Sequence, residues 1–234
     1  MYPSTSPLAS STAVAGERDF LRQTFTWMFL GLALTTGVAI YLHASGGVLD
    51  YFDAHPAAFI VVIALQLGTV LGMSFALPRI SAQVAALCFC LYAGLVGVTF
   101  GILLEVYTTG SVVGAFAGAA GVFAGMAAYG YTTHRDLSSW GGVLFGALIG
   151  LIVASIVYVF VGGTAFNLII GWLGVIIFSG LTAYDMQKLK ALRTARFASG
   201  DEAQKIAIFG ALQLYLDFVN LVISLLRIFG NARS

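Results

Sequence analysis

The sequence predicts an all-α, polytopic membrane protein, a single bundle of seven transmembrane helices with the seventh at its centre. Three observations predict it. Of 234 residues, 59% are hydrophobic and only 9% charged, against about 25% charged in ordinary soluble domains. Seven stretches are apolar enough to cross a hydrocarbon core of about 30 Å, which takes about 20 helical residues; they are residues 20–42, 57–77, 82–104, 111–131, 140–161, 165–184 and 206–229. The connections between them are too short for a soluble domain, so residues 17–234 are read as one membrane domain.

Residues 1–16, MYPSTSPLASSTAVAG, are uncharged and rich in Ser, Thr and Pro, which predicts a disordered tail. The apolar run after them is longer than the core of a signal peptide, and no small-residue cleavage pattern closes it, so it counts as the first crossing. The third segment carries Cys88 and Cys90, which point in different directions on a helix and are expected to be buried free thiols. The fourth and fifth carry glycine stripes, Gly110, Gly114, Gly118, Gly121 and Gly125, then Gly142, Gly146 and Gly150. In lipid, small residues at that spacing predict close helix packing. His43, His55 and His134 have no metal-ligand spacing and are expected at the interfaces.

Charge sets the orientation. With loops assigned alternately, Arg18, Arg22, Arg79, Arg135, Lys188, Lys190, Arg193, Arg196 and Lys205 fall on one side, leaving only Arg227 and Arg233 of the eleven basic residues elsewhere. The opposite loops hold Asp50, Asp53 and Glu105. The positive-inside rule places the basic side and the N-terminus in the cytoplasm, and the C-terminus outside the cell's inner membrane.

The seventh segment, LQLYLDFVNLVISLLRIFG, is apolar except for Gln213, Asp217, Asn220, Ser224 and Arg227, which share one helical face. A charged Asp at the bilayer centre costs roughly 2.5–3.5 kcal/mol on insertion scales. The seam is therefore expected to face protein or water, inside the bundle. The other acidic residue near that level is Asp185, at the end of IIFSGLTAYD. If the sixth helix continues through QKLKALRTARF and the hairpin turns within FASGDE near Asp201, the two aspartates reach the same height. Two carboxylates so close in low dielectric cannot both ionise cheaply, so the pair is expected to share a proton and to act as a pH sensor. Lower pH would hold the last two helices together; higher pH would drive them apart or recruit a cation.

With GLTAYDMQKLK followed by LQLYLDFVNLVISLLRIFG at the end of a seven-segment chain, the sequence resembles the Bax inhibitor-1 (transmembrane Bax inhibitor motif) family, its bacterial members in particular. The resemblance implies a seventh helix surrounded by the other six and a pH-sensitive calcium leak controlled by an aspartate pair, here Asp185 and Asp217. It also implies a basic latch on the sixth-helix aspartate, for which Arg79 is the candidate. Where relatives carry a glutamate in the second helix near the last-helix arginine, this chain has Gln66, which can hydrogen-bond a guanidinium but not neutralise it. Gln66 therefore joins the polar seam of the expected path.

The expected function is thus a gated cation leak, with calcium the ion because hard carboxylate oxygens suit it; Asp185 and Asp217 fall far short of the six to eight oxygens of a tight site, so binding would be transient. No tightly bound cofactor, no enzyme activity and no nucleic-acid partner are expected, and lipid is the surrounding medium. Two alternatives come from other classes. One is an interaction protein that modulates a membrane protease or stress-response partner. The other is an intramembrane aspartyl protease, whose two aspartates share a proton, although the Gly-x-Gly that precedes the second aspartate in such enzymes is Leu214-Tyr215-Leu216 here.

Overall fold

A computed structural model of the chain describes residues 7–192 and 199–233, with side chains from residue 19 onward. The described residues form eight helices: α1 (Pro7–Ser45), α2 (Val48–Ala54), α3 (Pro56–Ala76), α4 (Ala82–Val106), α5 (Thr109–Thr132), α6 (Ser138–Val161), α7 (Thr164–Leu192) and α8 (Gly200–Phe229). All but the short α2 are long and apolar enough to cross a membrane. The predicted all-α polytopic architecture is the one found, with α2 added between the first two crossings. Helix α1 begins at Pro7, inside the stretch that composition predicts to be disordered, while residues 1–6 lie outside the described residues.

Turn chemistry explains most of the boundaries. Gly46 and Gly47 (φ 69° and 73°) separate α1 from α2, and Gly162 and Gly163 (φ 65° and 98°) separate α6 from α7; left-handed backbone of this kind suits glycine, which has no Cβ to clash. Pro56 opens α3, where its missing N–H costs nothing. Ser81 caps α4 by accepting from the Val84 N–H at 3.4 Å, and Ser199 caps α8 by accepting from the Glu202 N–H at 3.1 Å.

Helix α8 is the core. In its most apolar 18-residue window 67% of the residues are buried, against 6–39% in the other six crossings. Leu212, Leu214, Tyr215, Leu221, Val222 and Leu226 are almost wholly enclosed, so burial runs around the whole circumference and not only along the polar seam. The helices packed directly on it are α1, α4, α5 and α7, whereas α3 lies against α4 and α2, and α6 against α7. The surround is therefore four helices with two outriders, not the six that the resemblance implies. A helix of ordinary diameter, about 10–12 Å, leaves room for few direct neighbours. The outriders turn large apolar side chains such as Phe75, Val159 and Phe160 outward, as a lipid-facing layer should.

Two packing expectations are corrected. Gly110, Gly114, Gly121 and Gly125 on α5, and Gly142, Gly146 and Gly150 on α6, have nothing within 4 Å of where a Cβ would stand; of the two stripes only Gly118 does, 3.2 Å from Leu225. Backbones approach closely elsewhere. A Cβ on Gly130 would collide with the Ala183 carbonyl, and one on Gly174 with the Ser224 hydroxyl. The cysteines are free, but Cys88 is half-buried and Cys90 exposed, because Cys90 shares the outward face of α4 with Leu87 and Leu91.

Candidate functional site

Small residues fix how α7 lies on α8. Gly171 sits against Ile228 and the Arg227 Cβ, Gly174 against Ser224, and Gly210 against Leu189. In that antiparallel register Asp217 is level with Thr182, and Asp185 stands one turn, about 4.5 Å, nearer the basic end. The aspartates are therefore neighbours offset by a turn and not at equal height. Helix α8 starts after its N-cap Ser199, and Asp201 in its first turn accepts from the Ala82 N–H at 3.0 Å at the start of α4. Helix α7 does continue past the aspartate as predicted, through Leu192; Arg193 and Arg196 lie outside the described residues.

Asp217 is 3% exposed and Asp185 7%. Asp217 stands at Thr182 and within electrostatic reach of the Asp185 carboxylate. Its Oδ2 is fully enclosed and has no hydrogen-bond partner among the described residues, the one buried side-chain oxygen or nitrogen of which this is true. The Thr182 hydroxyl is fully buried, and the Phe178 carbonyl, at 2.7 Å, and the Asp217 carboxylate compete for its one hydrogen. Asp185 has Lys188, one turn further toward the basic end, as its neighbouring cation. Arg79, the expected latch, is exposed in the turn after α3, and among the described residues no ion pair joins it to Asp185. Lys188 occupies that electrostatic role in this conformation, because Pro78 ends α3 and carries Arg79 away.

The opposite face of α8 is pinned. Tyr215, two residues before Asp217 and so on the other side of the helix, packs edge-on to Phe89 at 5.7 Å and Tyr92 at 5.9 Å. The Thr35 hydroxyl donates to the Ala93 carbonyl at 2.9 Å, which leaves it to accept from the Tyr215 hydroxyl. One turn of α8 is thus anchored on α1 and α4 through Tyr215 and turned toward α7 through Asp217.

The rest of the seam divides. Gln213 is half-buried, Asn220 donates to its own Leu216 carbonyl at 2.8 Å, and Ser224 donates to the Asn220 carbonyl at 2.7 Å. Arg227 donates to Asn167 Oδ1 at 3.2 Å and lies over the Tyr158 ring at 5.8 Å. Gln66 does not join them: its Nε2 donates to the Leu95 carbonyl at 2.9 Å and the Thr99 hydroxyl at 2.8 Å, both on α4. Residue spacing missed Thr182, Asn167 and Tyr158. The hairpin register would have found Thr182, since it alone decides what stands opposite Asp217.

Both ends of the bundle are tied. At the basic end Gln187 accepts from the Leu137 N–H and donates to the Arg135 carbonyl, each at 2.8 Å, joining α7 to the α5–α6 turn. At the other end the segment after α8 folds back, with Ala232 bridging Tyr107 and Arg233 donating its backbone N–H to the Val106 carbonyl at 2.9 Å. There Glu105 meets His43 at 2.7 Å and Arg233 at 3.9 Å. Among the described residues no group of three or more His, Cys, Asp or Glu could hold a metal ion.

A membrane-type helical bundle around a buried acidic hairpin defines the class: an all-α polytopic membrane protein with an ionisable site inside it. The family model described as inhibitor of apoptosis-promoting Bax1 matches residues 17–234, and the chain belongs to that family, the Bax inhibitor-1 family. It is 42% identical to inner membrane protein YbhL of Escherichia coli over 220 residues, 94% of each chain. An uncharacterized protein of Deinococcus radiodurans is 43% identical over 217 residues, covering 93% of this chain and 92% of its own. One from Borreliella burgdorferi is 37% identical over 218 residues, covering 93% and 94%.

Proposed function

We propose that this chain is a pH-sensitive cation leak of the inner membrane, gated by Asp185 and Asp217, with calcium as the ion its carboxylates suit. The observation that carries this is the enclosed Asp217 Oδ2, a carboxylate oxygen without a partner at the centre of the most buried helix and beside a second carboxylate. A buried ionised group is costly unless paired, so full charge on both acids favours separation of α7 from α8 or entry of a cation between them. A shared proton removes that pressure and keeps the hairpin closed. The one-turn offset gives the ion a step from Asp217 to Asp185, where Lys188 competes with it. Two carboxylates bind calcium only in passing. The similarity to YbhL supports the inner membrane, and the distribution of lysine and arginine supports a cytoplasmic N-terminus.

The test is calcium flux into liposomes holding the purified chain, measured in steps between about pH 5 and 8. Wild type is expected to leak more as pH rises, and Asp217→Asn to lose that dependence. A wild type that stays tight at every pH overturns the leak and leaves the interaction-protein reading in its place.

A further inference from the structure

We propose that Arg227 holds a phosphate group at the end of the bundle where α8 finishes. A guanidinium carries five N–H donors in a planar fork, yet among the described residues Arg227 gives a single hydrogen bond, to Asn167 Oδ1 at 3.2 Å. No carboxylate pairs with it there. At this end Glu105 is engaged by His43 and Arg233, and Gln66 is held by α4. Arg227 is half-buried under Tyr158, so water does not fully replace the missing partners. A partly desolvated cation with free, coplanar donors is the arrangement that takes a tetrahedral oxyanion in two parallel bonds.

Its level in the membrane suits the same ligand. Arg227 is ten residues past Asp217, about 15 Å along the axis and so at the hydrocarbon edge. Trp172 and Phe229, both exposed, meet edge to face at 6.1 Å beside it, as aromatic side chains do at the headgroup boundary. Asn167 takes Nη1, Tyr107 and Tyr158 stand near the guanidinium, and Nη2 and Nε, with no acceptor among the described residues, are the donors offered to the phosphate. The phosphate can come from a phospholipid headgroup or from solution.

The test is the thermal midpoint of the purified full-length chain in neutral detergent, titrated with dihexanoyl phosphatidylglycerol and, in parallel, with inorganic phosphate. Wild type is expected to be stabilised saturably, with apparent affinity falling about tenfold or more in Arg227→Gln, as loss of a charge-assisted pair requires. Asn167→Ala is expected to fall several-fold, and it carries the test if Arg227→Gln does not purify as a monodisperse species. Stabilisation by the lipid alone identifies a headgroup; equal stabilisation by inorganic phosphate identifies a soluble source for the same contact. No saturable effect on wild type, or an effect that survives unchanged in both variants, overturns the proposal.

Discussion

Asp217 and Tyr215 show how two side chains on one turn divide their labour. Tyr215 holds α8 at a fixed height between α1 and α4, and Asp217 meets α7 from that fixed position. Tyr215→Phe keeps the ring packing and the Thr35 bond to Ala93, so it should cost only about 0.5–1.5 kcal/mol, read as a lowered thermal midpoint in detergent. If the anchor positions the gate, the same variant also shifts the pH profile of calcium flux, while a variant at the lipid-facing Phe160 does not. Asp136, outside the membrane, titrates differently. The Ser138 hydroxyl and then its N–H, at 2.9 Å from Oδ1, hold this carboxyl below the ordinary aspartate value. A lowered folded-state value means the cap on α6 contributes fully above the ordinary value and is lost as pH falls through the lowered one. Thermal midpoints measured against pH should therefore drop on the acid side in wild type, and the drop should shrink in Asp136→Asn, which still caps but does not titrate.

At the scale of elements, the α7–α8 hairpin is governed by what glycine permits. Gly130→Ala forces a methyl against the Ala183 backbone between α5 and α7 and should destabilise by about 1–3 kcal/mol or more. Gly146→Ala meets open space and should stay within about 0.5 kcal/mol, as surface changes do; paired thermal melts separate the two. Spacing alone does not tell these glycines apart, which is why the stripes on α5 and α6 read as packing seams in the sequence while most close approaches fall at other glycines, such as Gly97, Gly130, Gly174 and Gly210. The crossings themselves were legible because apolar length suffices to define them. The centrality of α8 was legible from Asp217, since hydrocarbon forbids it elsewhere. The register was legible only to within a turn. The register shows in close approaches such as Gly174 on Ser224 and Gly210 on Leu189, contacts that composition does not report. Nor does a residue pattern report that Arg79 stands exposed in the turn after α3, where no ion pair among the described residues joins it to Asp185.

For the molecule as a whole, four helices enclose α8, and its C-terminal continuation is strapped across Tyr107 at the end opposite the basic turns. The positive-inside rule then predicts that a reporter fused after Ser234 is active only outside the inner membrane. An alkaline phosphatase fusion should be active and a green fluorescent fusion dark; the reverse result inverts the bundle. The most enclosed helix follows the other six crossings in the chain. Six spans therefore enter the bilayer before the rod they are shaped to wrap exists. Until it arrives, Phe89, Tyr92 and the small faces of α4, α5 and α7 have only acyl chains to rest on. Insertion of α8 is thus the event that turns an open palisade into a closed one, and a nascent chain halted short of it should be prey for membrane proteases.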